Sequence, residues 1–293
     1  MLMANKADAV STTTIKIIMA ILCFTTLYPF IYCLAYSFSN SISVMTKVVT
    51  VYPIDFTLKN YEVVFNNRII LNSFFISVSR TVSGVIYALV VTGLAAFAMS
   101  KRDLPGNRLL GIFFIIPMYV SGGLLPYYVL ISKLGLFNNF LVYIIPQGIW
   151  TFNLLIMRTY FESLPDSLEE SAKIDGASDL MIFTKIITPI SMPIYATVVM
   201  FVGVWQWNSW FDAMLFVSNI DLIPMQSMLQ KLLLESFSAD LQAQAKLAQG
   251  IKQTSPESLK MAAVIVTTVP IVIIYPFMQR YFIKGMMIGA VKA

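Results

Sequence analysis

Residues 162–179 read ESLPDSLEESAKIDGASD, a polar stretch between two long apolar runs. Pro165 before Asp166 is typical of a helix start, and Glu169, three residues after Asp166, completes the pattern of a capping box. Gly176 stands where a left-handed residue would end this helix, and a second helix can follow it. The stretch therefore predicts two short helices joined by a bend at glycine.

This predicted unit, residues 165–189, is called the elbow, and its first helix has an unusually small face. The face consists of Leu168, Ser171, Ala172 and Asp175, at the i, i+3, i+4 and i+7 spacing of a helix. Small side chains let another backbone approach closely, and Ser178 can cap the second helix. A rigid elbow between two apolar runs would transmit a push from a partner into both of them.

The elbow and its flanks are acidic. Residues 158–185 hold six acids and three bases, namely Glu162, Asp166, Glu169, Glu170, Asp175 and Asp179 against Arg158, Lys173 and Lys185. The alternative is an amphipathic helix on lipid headgroups, but an anionic leaflet would repel this excess of carboxylates. The charge pattern therefore favours a protein partner.

The rest of the chain is dominated by apolar residues. Of its 293 residues, 58% are hydrophobic and 12% are charged, and the mean hydropathy is +0.76, which excludes an ordinary water-soluble protein. Six runs contain no charged residue: 17–46, 81–100, 109–132, 134–157, 186–211 and 261–279. Each reaches the roughly 17–25 residues that a helix needs to cross a bilayer. The sequence predicts an all-α membrane protein with six transmembrane helices.

The first two spans can be refined. Apolar periodicity begins at Ile69, so the second helix should start there and enclose Arg80. The first run is longer than the apolar core of a signal peptide, which has about 7–15 residues, and lacks a clear cleavage site. We expect it to be a retained anchor.

Basic residues indicate the orientation. With the N-terminus inside, eleven Lys and Arg residues lie in cytoplasmic segments and eight lie outside, mostly in two long segments that count for less. Both termini are therefore expected in the cytoplasm. The outer loop, residues 212–260, has helical spacing at Met225–Leu234 and Ala239–Ile251. It is either a surface cap or a docking or substrate-handling loop.

The sequence carries little catalytic chemistry. Histidine is absent and Cys23 and Cys33 share one apolar run, which leaves no His-based catalyst, Cys/His metal cluster or disulfide framework. There is no Gly-x-x-x-x-Gly-Lys-Ser/Thr phosphate-binding loop. We expect no catalytic residue, cofactor site or metal site in this chain.

Polar and aromatic residues inside the spans mark a candidate substrate path, because polar groups are costly there unless they face a cavity or another helix. The candidates are Asn72, Arg80, Gln147, Asn153, Trp205, Trp207 and Asn208, with Gln206 as a further intramembrane amide. Trp205 to Asp212 mixes indoles with amides, as a saccharide site would, although an interfacial aromatic belt predicts the same pattern. Arg80 could attract an acidic saccharide or pair with a neighbouring carbonyl, and the second reading is preferred.

The elbow resembles a known family. Glu169–Ala172, Ile174–Ala177, Ile186 and Pro189 are similar to the Glu-Ala-Ala loop of permease subunits in binding-protein-dependent ATP-binding-cassette (ABC) importers, with Ser171 where the family usually has Ala. Residues 56–61, 72–73 and 279–292 are similar to the sugar-permease branch, in the style of maltose, oligosaccharide and alginate importers.

The resemblance implies a type I ABC importer permease fold in the bacterial inner membrane. Its implied parts are residues 1–68 (N-terminal segment, first helix and first external loop) and a five-helix core, 69–293, with coupling loop 158–188, external loop 212–260 and cytoplasmic tail 283–293. The residues implied to couple to an ATPase are Glu169, Glu170, Ser171, Ala172, Asp175, Gly176 and Ala177.

The implied function is ATP-driven import of a sugar or oligosaccharide, an acidic one such as alginate included. The implied partners are a second permease, two ATPases that bind ATP and Mg²⁺, an external solute-binding protein reached by residues 217–257, and lipid, but no nucleic acid. A scaffold, a lipid-handling enzyme and a secondary transporter are the alternatives. The last would show paired intramembrane acids or interrupted helices in matching halves.

Overall fold

The structure, a computed structural model, describes residues 2–40, 43–45, 47–234 and 257–290, with described side chains between residues 12 and 276. Within these ranges the chain is helical and contains no strand, so the predicted all-α class is confirmed. The chain divides into two compact units. The first comprises Met1–Leu71 with Leu229–Val269, and the second comprises Asn72–Met228 with Pro270–Ala293.

The helices follow one another along the chain with short connections. They are α1 Leu2–Ser37, α2 Lys59–Asn66, α3 Arg68–Ser100, α4 Asn107–Tyr119, α5 Leu124–Lys133, α6 Thr151–Glu162, α7 Ser167–Ile174, α8 Asp179–Ile182, α9 Thr188–Ile190, α10 Met192–Asn208, α11 Phe211–Phe216, α12 at residues 225–234 and α13 Glu257–Ala290. Two 3₁₀ turns, Phe140–Tyr143 and Ile145–Gln147, precede α6, and a π-helix, Phe183–Ile187, joins α8 to α9.

Several sequence predictions are confirmed at this level. Helix α3 begins at Arg68, next to the predicted Ile69. Helix α12 occupies the predicted segment Met225–Leu234, whereas the predicted helix at Ala239–Ile251 lies outside the described residues. The first span ends at Ser37 rather than at residue 46, because the absence of charge continues into a non-helical loop.

Six spans are present if bent helix pairs are counted as single spans. Among the described residues, three helical segments are long and apolar enough to cross a membrane alone: Thr12–Ser37, Arg68–Ser100 and Glu257–Pro276. Three further spans are helix pairs bent by 119°, 48° and 83°: Asn107–Tyr119 with Leu124–Lys133, Phe140–Gln147 with Thr151–Glu162, and Asp179–Ile190 with Met192–Asn208.

The expectation of continuous helices over 109–132, 134–157 and 186–211 is therefore wrong. Each break falls at residues that interrupt helical hydrogen bonding: Pro117 and Gly123, Pro146 and Gly148, and Pro189 and Pro193. Gly123 has φ +83°, a left-handed value that favours glycine. A count of apolar residues measures the length of a span but not its direction.

The core of the second unit lies between α3, α6, the elbow and α10. Its buried side chains include Phe97, Leu154, Met157, Phe161, Ile182, Phe183, Ile187 and Val198. Helix α3 comes closest to α10 at Gly84, where an added Cβ would lie 2.4 Å from the side-chain nitrogen of Gln206. Gln206 is itself fully buried, so glycine at residue 84 is required by the close approach.

The first unit is held by an asparagine in α2. Asn60 Nδ2 donates hydrogen bonds of 2.9 Å to the carbonyl oxygens of Ser37 and Ser39, just after α1 ends. Tyr36 donates its hydroxyl to Glu257 Oε2 at 2.5 Å, which ties the end of α1 to the start of α13. Residues 56–61, read as similar to sugar permeases, thus include the side chain that fastens α2 to α1.

The Gly84 contact can be tested by one methyl group. We expect Gly84→Ala to destabilise the protein by about 1–3 kcal/mol, because Gln206 must leave a buried, hydrogen-bonded position. The thermal unfolding midpoint of the purified protein in detergent measures this. Gly122→Ala is the matched control, since an added Cβ there meets open space. Equal midpoints for the two variants would contradict the packing account.

Candidate functional site

The elbow has the predicted helix–glycine–helix geometry. Helix α7 ends at Ile174, and Gly176 has φ +77°. Behind the bend, the N–H of Ala177 donates to the carbonyl of Ala172 at 2.9 Å, as in a Schellman cap. Ser178 Oγ accepts the N–H of Met181 and caps α8. The predicted bend and second cap are confirmed.

The predicted capping box at the start of α7 is wrong. Asp166 occupies the N-cap position in a right-handed helical conformation, φ −59° and ψ −29°, and its side chain makes no capping hydrogen bond. Glu169 instead forms an ion pair with Lys101, just after the end of α3. The Lys101 ammonium also lies 3.9 Å from the centroid of the Phe97 ring. Glu169 therefore ties the elbow to α3.

The predicted small face divides between core and solvent. Ala172 is buried in the core, whereas Ser171, Asp175 and the neighbouring Glu170 are exposed. Ile174 is 87% exposed, and the elbow therefore offers an isolated apolar side chain among carboxylates. A side chain of this kind is typical of a docking contact.

The far side of the bend is packed against the core. Phe183 lies 5.2 Å from the Phe97 ring centroid, and Ile187 is almost fully buried. Both belong to the π-helix, a form that is frequent at functional sites. The chain then turns by 83° at Ser191 and enters α10.

A cavity of about 1090 Å³ lies at the other end of α10. Its aromatic wall residues are Tyr127, Trp150, Phe152, Phe201, Trp205, Trp210, Phe211, Phe216 and Tyr275, and its amide and acidic residues are Gln147, Asn153, Asn208 and Asp212. Trp150 and Trp205 meet edge to face with ring centroids 4.8 Å apart. Trp150 Nε1 donates to Gln147 Oε1 at 3.0 Å, which fixes both side chains in the wall.

Asn153 leaves an acceptor unused on this wall. The residue is only 2% exposed, and its Oδ1 has no hydrogen-bond partner among the described residues. A buried amide oxygen without a partner costs roughly 1–3 kcal/mol. A ligand hydroxyl or a water molecule that donates to Oδ1 would recover that free energy.

Four of the seven predicted path residues line this cavity: Gln147, Asn153, Trp205 and Asn208. The other three lie elsewhere. Asn72 Nδ2 donates to the carbonyl of Asp221 at 2.7 Å, and Trp207 is buried edge to face against Phe74, with the ring centroids 5.9 Å apart. Arg80 is fully buried behind the wall.

Arg80 is bound by several groups where α10 ends and α11 begins. Its Nε donates to Gln206 Oε1 at 3.1 Å, its Nη1 to the carbonyl of Ser209 at 3.2 Å, and its Nη2 to Asp212 Oδ2 at 2.6 Å. The guanidinium also lies 4.3 Å from the Tyr143 ring centroid. The preferred carbonyl partner is present, but the sequence reading missed Asp212.

Residues 75–288 match the family described as Binding-protein-dependent transport system inner membrane component. The chain belongs to this family. The Polygalacturonan/rhamnogalacturonan transport system permease protein YtcP of Bacillus subtilis is 36% identical over 264 residues, or 90% of this chain and 92% of that protein. The Trehalose/maltose transport system permease protein MalG of Thermococcus litoralis is 29% identical over 94% of each.

A solved structure has the same fold. A chain in the crystal structure of a bacterial ABC transporter involved in the import of the acidic polysaccharide alginate matches with a TM-score of 0.84 and 29% identity, over 94% of this chain and 98% of that chain. The resemblance read from the elbow is therefore confirmed. This chain is the permease component of an ABC importer in the inner membrane and is not itself catalytic.

The backbone of the elbow can be tested at the bend. We expect Gly176→Val to destabilise the elbow by about 1–2 kcal/mol, because a β-branched residue at positive φ is strained. Hydrogen exchange of residues 167–190 in the purified permease should quicken. Gly176→Asn is the matched control, since Asn tolerates this conformation. Equal protection in both variants would show that the left-handed bend is unimportant.

Proposed function

We propose that this chain is one of two permease subunits that together carry a saccharide across the inner membrane, and that its cavity forms part of the path. The observation that carries the proposal is the wall of indoles and amides at the end of α10. Sugar rings present apolar C–H faces and a rim of hydroxyl groups, which suit aromatic faces and amides respectively.

Asn153 and Trp205 make the proposed sugar contacts. The unpartnered Asn153 Oδ1 can accept a hydroxyl proton, and the indole of Trp205 lies on the same wall. Gln147 and Asn208 add further amides, while Arg80, Trp207 and Asn72 support the wall from behind or bind elsewhere. The names of the relatives, which refer to plant-type polysaccharides, trehalose, maltose and alginate, support a saccharide as the substrate.

The proposed partner at the elbow is an ATPase that binds ATP and Mg²⁺, in two copies for the complete importer. Ile174 supplies an exposed apolar contact, and Glu170 and Asp175 supply carboxylates for a basic cleft. A solute-binding protein delivers the substrate from outside, where the loop 212–260 lies when both termini are cytoplasmic.

Helix α10 connects the two sites. It follows the elbow after the bend at Ser191, and its 17 residues span about 25 Å to Asn208 at the cavity. Because one rigid helix joins them, a displacement of the elbow reaches Trp205 and Asn208. ATP bound by the partner would thereby favour one arrangement of the cavity over another.

The cavity is tested by Trp205→Ala. We expect uptake by the reconstituted importer to fall at least about tenfold, because the sugar loses an aromatic wall, while basal ATP hydrolysis stays unchanged. Radiolabelled saccharide uptake into proteoliposomes measures the effect. Ile112→Ala, an exposed apolar residue of α4 that does not line the cavity, is the control. Normal uptake by Trp205→Ala would refute the cavity as the path.

The elbow is tested by Ile174→Ser. We expect ATP hydrolysis stimulated by substrate-loaded binding protein to fall about tenfold, because the docking contact loses its apolar side chain. Val48→Ser is the matched control, since Val48 is 88% exposed but lies in the loop between α1 and α2. Co-purification of the ATPase should weaken only for Ile174→Ser. An unchanged stimulated rate would refute docking at the elbow.

A further inference from the structure

The cavity wall carries one acidic residue and no basic one. Among the described residues that line the cavity, Asp212 is the only Asp or Glu, and none is Lys or Arg. The Asp212 side chain is 13% exposed, so part of the carboxylate remains open to the cavity. A ligand at this wall therefore meets negative charge first.

The compensating positive charge is out of reach. Arg80 is fully buried and bound by Gln206, Ser209 and Asp212, and it does not line the cavity. Leaving these partners to meet a ligand would strand Asp212 and Gln206 without their hydrogen-bond donor. The pair is electrically balanced, but only its acidic member faces the ligand.

This arrangement distinguishes neutral from acidic sugars. A neutral ring can donate a hydroxyl proton to a carboxylate oxygen of Asp212, since each such oxygen accepts more than one hydrogen bond. A uronate brings a second carboxylate into the same partly dehydrated space, where like charges repel and neither is well solvated. The wall thus favours hydroxyl groups over carboxylates.

We propose that Asp212 is a specificity-determining residue, which disfavours acidic saccharides relative to neutral ones in the part of the cavity built by this chain. The inference rests on the proposed function, because it requires that saccharides enter this cavity. It differs from transfer by similarity, since one relative of the same fold belongs to an importer of an acidic polysaccharide.

The experiment measures binding of two matched probes, galactotriose and trigalacturonate, to the assembled importer in nanodiscs without the solute-binding protein. Omitting that protein removes its own selectivity. Quenching of tryptophan fluorescence reports occupancy, because Trp150, Trp205 and Trp210 line the cavity. The measured quantity is the ratio of the Kd of galactotriose to that of trigalacturonate, so constant contributions from the second permease cancel between variants.

Three variants separate charge from shape. Asp212→Asn keeps the size of the side chain but leaves Arg80 without its counter-ion, and we expect the ratio to rise about tenfold in favour of the uronate. The double variant Arg80→Gln with Asp212→Asn removes both charges, and its ratio should lie between those of Asp212→Asn and the unsubstituted importer. Asp212→Glu keeps the charge and should leave the ratio unchanged.

The outcomes are distinguishable. The proposal is overturned if the double variant and Asp212→Asn both keep the original ratio, which is the result expected of a purely structural ion pair. Should Asp212→Asn fail to assemble, the double variant alone decides by its ratio. If the unsubstituted importer binds neither probe while Trp205→Ala and the unsubstituted form take up substrate equally, the proposed function itself is wrong. An advantage for the uronate that shrinks in high salt supports the charge mechanism.

Discussion

A fully buried guanidinium is the constraint on which the polar part of the second unit depends. A charge removed from water is tolerated only when opposite charge and hydrogen bonds surround it. Arg80 on α3 finds both where α10 ends and α11 begins, in Asp212, the Ser209 carbonyl and the Gln206 amide. Because these partners come from the interrupted end of a span, satisfying Arg80 also fixes the break and the wall beside it.

The same demand for partners explains how the other interrupted spans persist in a membrane. Backbone carbonyls freed by a break must be bound inside the protein, since lipid offers no hydrogen bonds. Thr92 donates to the carbonyl of Gly148 at 3.0 Å, Thr151 to that of Phe114 at 2.8 Å, and Gln206 to that of Tyr143 at 2.9 Å. Side chains of neighbouring segments thus replace the missing helical bonds.

These interactions decide what the sequence could predict. Charge-free runs located the spans, and Gly176 located the bend, because both signals are local. The breaks were missed because hydropathy does not record direction, although Pro117, Pro146 and Pro189 were visible. The capping box failed because a distant lysine competes for Glu169. The Arg80–Asp212 pair joins residues 132 positions apart, and no local pattern links them. Even so, four of the seven path residues proved to line one cavity.

The internal ion pairs also determine which charges of the elbow are available to others. Arg158 neutralises Glu162 at 2.8 Å and Lys101 neutralises Glu169, so in the described part of this segment Asp166, Glu170, Asp175 and Asp179 carry the acidity outward. Attraction between these carboxylates and a basic surface fades over about 8 Å at physiological ionic strength. The speed of recruitment to the elbow should therefore follow salt concentration, whereas the lifetime of the bound state should follow the fit around Ile174.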